Sequence, residues 1–131
     1  MSKIRSRSAE EVLAEDLKNN PEFRTYWERT TLARAVALAI LHYRTEHNLS
    51  QRRLGQLLGI HQSHVSRLEL GEHTPLLEML QKLSMVLGLR FILDIGPSSK
   101  TSEAPIVFPP GVELVEDIIT ADGSQVRVAT G

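Results

Sequence analysis

The chain has 131 residues and a mass of 14.7 kDa, room for one modest core with attachments and too little for a large catalytic architecture. With 41% apolar and 24% charged residues and no apolar run near the roughly 20 residues that cross a bilayer, no membrane span is expected. The lack of cysteine excludes disulfides, thiolate nucleophiles and sulfur-ligated zinc, and the polar, basic start from Met1 to Arg7 carries no secretory signal, so the cytoplasm is expected. The formal net charge of −1 conceals a segregation: residues 23–90 hold nine Lys/Arg against five acids, whereas residues 91–131 hold two against six. A basic middle suits an anionic partner and an acidic tail a basic one, unless both are only solvated surface.

In chain order, Ser8-Ala9-Glu10-Glu11 has the form of a capping box and starts a short helix to about Lys18. Asn20-Pro21 caps and opens a second helix, expected to run from Pro21 to His47 with Val36, Ile40 and Tyr43 on one face and Ala33, Ala35, Ala37 and Ala39 favouring it. Ser50 caps a helix from Gln51 to Leu58 that Gly59 ends. Another runs from Gln62 to Leu70 and stops at Gly71, and Thr74-Pro75 opens one that stops at Gly88. Helices this short need packing to persist, and Leu49, Leu54, Leu57, Leu58, Ile60, Val65, Leu68, Leu76, Leu80, Leu83 and Leu87 are the expected shared core. Leu89 to Ile95 alternates as a strand. Residues 96–111 hold four of the six prolines and read as a linker; Val112–Thr120 and Gln125–Ala129 then flank the turn signal Asp122-Gly123 as a hairpin.

The fold class is therefore mainly α: an N-terminal helical arm (1–20), a helical domain with a trailing strand (21–95), a linker (96–111) and a C-terminal β-hairpin (112–131). Chemistry concentrates in the stretch from Leu49 to Gly71, which reads helix, tight turn, helix. Around the second helix, Val65 and Leu68 fall together and Gln62, Ser63, Ser66 and Arg67 fall opposite. Glutamine can bond adenine bidentately and arginine guanine, so a helix anchored on one side and displaying these groups suits the major groove. A protein-binding helical hairpin is the competing reading. No phosphate loop, nucleophile elbow or metalloprotease motif is present, so neither enzyme activity nor a cofactor is expected. His61 and His64, with His73 nearby, lack the further ligands a zinc site needs.

The stretch resembles the helix-turn-helix family typified by Cro and the phage repressors, often called Xre, over roughly residues 36–88, which implies a five-helix core of the lambda-repressor type. The resemblance implies DNA-binding roles for six residues: Gln51 touching phosphate and bracing the reading helix, Gln62 and Ser63 as base readers, Arg67 one turn further on, and His64 and Ser66 facing phosphates. It makes Arg44 and Glu69 a structural ion pair. Arg52 and Arg53 are either phosphate clamps or exposed helix formers. Two departures are His61 at the position where relatives have a Ser or Thr cap, and Glu72 in the turn after Gly71.

One such unit reads few base pairs, so a homodimer on a palindromic double-stranded operator is expected, with strand 89–95 pairing its symmetry mate through Phe91 and Leu93 or pairing instead with its own chain's hairpin. With the acidic and aromatic approach Leu17-Lys-Asn-Asn-Pro-Glu-Phe-Arg-Thr-Tyr-Trp27, the Xre core and then Gly88-Leu-Arg-Phe-Ile-Leu-Asp-Ile95, the layout is similar to that of HigA-type antitoxins. That similarity implies repression of the protein's own operon and neutralisation of a basic HigB- or RelE-like messenger-RNA endonuclease; Phe23, Tyr26 and Trp27 are candidate anchors, unless Phe23 and Trp27, one turn apart, simply pack on the core. A stand-alone Xre regulator is the alternative, and a non-DNA interaction module a third reading.

Overall fold

The structure is a computed structural model that describes residues 7–100 and 106–131; Met1 to Ser6 and the middle of the expected linker lie outside the described residues. Six helices precede a small sheet: α1 (Ala9–Asn19), α2 (Pro21–Arg29), α3 (Thr31–His47), α4 (Gln51–Leu58), α5 (Gln62–Leu70) and α6 (Leu77–Leu87), then β1 (Phe91–Pro97), a 3₁₀ turn at Ser98–Lys100, β2 (Glu113–Ile119) and β3 (Ser124–Thr130). The side chain of Ser8 accepts from the Glu11 backbone N–H and that of Asn20 from Phe23, so both N-terminal caps form as their sequences require.

The expected long helix from Pro21 to His47 is two helices. Thr30 takes φ −97° and ψ 13°, its hydroxyl donates to the Tyr26 carbonyl at 2.9 Å, and Thr31 donates to Glu28 at 2.8 Å. Two adjacent threonines thus satisfy the carbonyls at the end of α2 and let the chain turn, a local competition with helical bonding that helix propensity alone does not register. α6 begins at Leu77 rather than at Pro75, because Leu76 is still extended, at φ −68° and ψ 155°.

Val36, Ile40, Leu54, Leu58, Val65 and Leu83 form the central cluster, with Tyr43, Leu49, Ile60, Leu68, Leu80, Leu87 and Phe91 packed around it. Leu57 and Leu76, expected in this core, are 42% and 74% exposed: α4 buries Leu54 and Leu58, leaving Leu57 to one side, and Leu76 precedes its helix. The alanines of α3 do more than favour a helix. Ala33 and Ala37 are buried where Gly71, at φ 66°, ends α5; a β-carbon on Gly71 would sit 3.4 Å from that of Ala37. Small side chains on both elements bring the end of α5 against α3.

The strand after α6 finds its partner inside its own chain. β1 pairs antiparallel with β3, which pairs with β2, giving the order β1-β3-β2 with Leu93 opposite Val128. It also overruns into the expected linker as far as Pro97, which an outer strand tolerates because the missing N–H can face away from the sheet. At the tip of the β2–β3 hairpin, Asp122 accepts from the hydroxyls of Thr120 and Ser124 and from the Ser124 N–H; the first of these, Thr120, does most to hold its carboxyl below the usual carboxylate range.

A bulge between Leu114 and Glu116 shifts the register so that Glu116, not Val115, lies opposite Val128. Val128 is fully buried against the helices, and on the same side Glu116 meets Arg34 of α3 at 2.9 Å. The guanidinium of Arg34 also lies 3.5 Å from the centre of the Trp27 ring and donates to the Trp27 carbonyl at 2.6 Å and to the Thr30 hydroxyl at 2.7 Å. This one side chain joins α2, α3 and β2. The burial of Val128 and Ala129 and the Arg34–Glu116 pair make the last two strands part of the core. Deleting residues 112–131 is therefore predicted to lower the melting temperature of the helical portion, and Val128→Ala to cost about 1–3 kcal/mol in denaturant unfolding, from the lost methyls and the cavity left behind.

Candidate DNA-binding surface

The surface is built from α4, the turn after it and α5. Ser50 accepts from the Arg53 N–H at 3.0 Å and starts α4; Gly59, at φ 67°, stops it. Gly55 inside α4 is required by proximity, since a β-carbon there would lie 2.8 Å from the Ile60 carbonyl oxygen, a backbone atom of the turn. His61 then caps α5 by accepting from the Ser63 N–H through Nδ1 at 3.2 Å, so the substitute for a Ser or Thr cap works, provided Nδ1 is unprotonated. The same Nδ1 lies 2.8 Å from the Ser63 hydroxyl.

α5 has nine residues, too few to hold its shape in water without tertiary contacts. Val65 supplies the anchor at 0% exposure, with Leu68 half-buried beside it. Fully burying such a side chain contributes about 1.5–3 kcal/mol. Opposite that anchor Ser63 and Arg67 are exposed, Gln62 is exposed on its flank where the helix opens, and His64 and Ser66 are half-buried; His64 lines a cleft with Leu68, Pro75 and Lys82. Arg52 and Arg53 are exposed on α4, where Arg53 donates to Gln56 at 3.1 Å.

A polar relay fixes this face. Glu69, its side chain 7% exposed, is gripped by Arg44 of α3, which donates to it through Nε and through Nη2 at 3.1 Å and to the Leu49 carbonyl through Nη1 at 3.0 Å. Gln51 donates its amide nitrogen to Glu69 at 2.6 Å, and Gln62 donates to the Gln51 oxygen at 3.2 Å. The direction of the chain follows from chemistry: a carboxylate only accepts, so the Gln51 nitrogen must face Glu69, its oxygen must face Gln62, and Gln62 must turn its nitrogen inward. Gln62 is left with a free carbonyl oxygen and one remaining N–H, the acceptor and donor that match the N6 and N7 edge of adenine.

Gln51, Gln62, Ser63 and Arg67 are thus brought together, and the Arg44–Glu69 pair is structural. The other predicted residues lie elsewhere. Phe91 packs against the core, and Leu93 is 48% exposed on β1. Phe23 and Trp27 are half-buried and meet each other at 6.0 Å between ring centres, leaving Tyr26 the exposed member of that trio at 37%. Arg34 and Glu116 carry no sequence signal as a pair, being 82 residues apart and aligned only through the bulge. Among the described residues no group of three or more His, Cys, Asp or Glu converges as a metal site, and no helix is long and apolar enough to cross a membrane.

Residues 40–92 match the protein-family model described as helix-turn-helix, a span from the middle of α3 to the start of β1 that holds the whole relay. The match supports a DNA-binding transcription regulator. No curated protein and no solved structure matches the chain.

Two outcomes follow. Glu69→Gln leaves Arg44 without its counter-charge and is predicted to cost about 2–4 kcal/mol in denaturant unfolding; an unchanged midpoint would remove the pair from the scaffold. Gln51→Ala, expected from sequence to weaken DNA binding without altering preference, is now predicted also to blunt discrimination at the base facing Gln62, as read by competition with single-base variants in a gel-shift assay.

Proposed function

We propose that the protein is a sequence-specific repressor that binds a palindromic operator as a homodimer and is the antitoxin of a HigBA-like pair, neutralising a basic RelE-like endonuclease and repressing its own operon. The observation that carries the DNA half is the exposed pair Ser63 and Arg67 opposite the fully buried Val65, beside Gln62, which is exposed at the start of α5 and oriented by the Glu69 relay. In this reading Gln62 and Ser63 read base edges, Arg67 reads a base one turn further along, and Gln51, His64 and Ser66 hold the backbone of the duplex.

Dimerisation is assigned to the outer edge of β1, where Leu93 and Ile95 are 48% and 61% exposed. Antiparallel pairing of two β1 edges would make one continuous sheet across a two-fold axis. The other outer strand, β2, is less suited to self-pairing, because its unpaired carboxylates Glu113 and Asp117 would be brought toward those of a second copy. For the partner half, the support is the acidic tail, which complements an RNA-gripping protein, and the aromatic approach that includes the exposed Tyr26.

Gln62→Ala and Arg67→Ala are each predicted to lose about 1–3 kcal/mol of affinity for the DNA upstream of the gene in a gel-shift assay, and to relax base preference. Binding of both variants like wild type overturns the reading face. Leu93→Asp is predicted to give monomers in sedimentation, with weaker operator binding; a dimer unaffected by it would move the interface off β1. Failure of the adjacent gene's product to copurify would remove the antitoxin role and leave the regulator.

A further inference from the structure

Ser63 is exposed at the second position of α5, and its hydroxyl lies 2.8 Å from Nδ1 of His61. A serine hydroxyl ordinarily suits any base, because it can turn its proton toward an acceptor or its lone pairs toward a donor. Here a neighbour removes that freedom. The Ser63 backbone N–H donates to the same Nδ1 at 3.2 Å, and a backbone N–H can only donate. Nδ1 therefore carries a lone pair, and the single proton of the neutral ring sits on Nε2. The hydroxyl faces a nitrogen with no proton to offer, so it donates, in a three-centre bond of the kind common at helix ends. What Ser63 has left to show outward is lone pairs alone. The Glu69 relay ends at Gln62, so Ser63 is oriented by a separate device on the turn before α5.

We infer that His61 sets the base preference of Ser63, committing its hydroxyl to accept from DNA and so to select adenine or cytosine against guanine or thymine. Adenine N6 and cytosine N4 are the amino groups that donate in the major groove; guanine offers N7 and O6 there and thymine O4, all acceptors, which oppose the lone pairs of Ser63. To donate to one of them, the hydroxyl must turn away from His61 and give up the bond it already makes. His61 is thus a positioning residue that acts through Ser63. A Ser or Thr cap in its place would bring a hydroxyl that both donates and accepts, and would impose no direction on Ser63. The inference rests on the proposed reading of bases by α5 and adds the class of base that Ser63 selects; it is independent of dimerisation and of any protein partner.

The test uses the full-length protein at about pH 8, where an ordinary imidazole is neutral. Wild type selects a site from random duplexes, and Ser63→Ala, His61→Ala and His61→Asn are then compared with it by competition against every single-base variant of that site. The base facing Ser63 is the one whose preference Ser63→Ala flattens. There wild type is expected to favour adenine or cytosine by about three- to tenfold, the range that one net hydrogen bond supplies. His61→Ala frees the hydroxyl and is expected to erase most of that ratio. His61→Asn is expected to restore it, because the amide oxygen stands as far along the side chain as Nδ1 and only accepts. Loss of a helix cap alone lowers affinity for all four bases alike, so the ratio between bases separates positioning from stability. Preference for guanine or thymine at that base, a ratio unchanged in His61→Ala, or an equal loss in His61→Asn overturns the inference. So does a Ser63→Ala variant that keeps every preference while Gln62→Ala and Arg67→Ala lose theirs, which leaves the reading face standing. A pool that wild type does not enrich overturns the repressor reading and this inference with it.

Discussion

A single buried carboxylate organises the reading surface. Glu69 sits on α5, is neutralised by Arg44 from α3 and receives Gln51 from α4, so three helices are registered against one another at one point. Unpaired, such a group would be costly to bury; paired and hydrogen-bonded, it is tolerated and imposes direction on every amide downstream of it. The orientation of Gln62 on the surface is a consequence of a charge pair beneath it. A positioned amide loses less entropy on meeting a base than one free to rotate, so under the proposed reading Glu69 would contribute to discrimination without touching DNA.

Much of this was legible in the sequence, and the reason is local. α4 and α5 start and stop where Ser50, Gly59, His61 and Gly71 put them, because caps and left-handed glycines act over three or four residues. Ser63 and Arg67 follow from counting around a helix whose anchor is Val65, whereas Gln62, only about 60° from that anchor, is exposed because it opens the helix. What the sequence hid depends on longer range or on competition between local preferences. Thr30 and Thr31 break a stretch that looks continuously helical because their hydroxyls bond backbone carbonyls, and Leu57 is apolar yet exposed because α4 buries only one narrow face. The partner of β1 was open between a second copy and the hairpin, and one bulge in β2 decides where Glu116 points.

That bulge gives the C-terminal strands a structural part that their composition does not advertise. Through Glu116 and Arg34, and through Val128 under α3, the sheet is fastened to the same helix that carries Arg44 toward the reading surface. α3 is therefore the common spine, with the relay near its C-terminal end, Trp27 near its start and the sheet along its length. The two outer strands differ in chemistry as well as in place. β1 presents apolar side chains suited to a copy of itself, and β2 presents carboxylates that oppose one.

The central claim, that α5 reads DNA bases through the face opposite Val65 as one half of a symmetric pair, is tested most directly by letting the full chain select from a random pool of DNA duplexes. The account predicts enrichment of two inverted half-sites centred about one helical turn apart, with adenine and guanine preferences within each half. A pool that shows no enrichment, or whose enriched sequences share neither inverted symmetry nor a base preference, would contradict it.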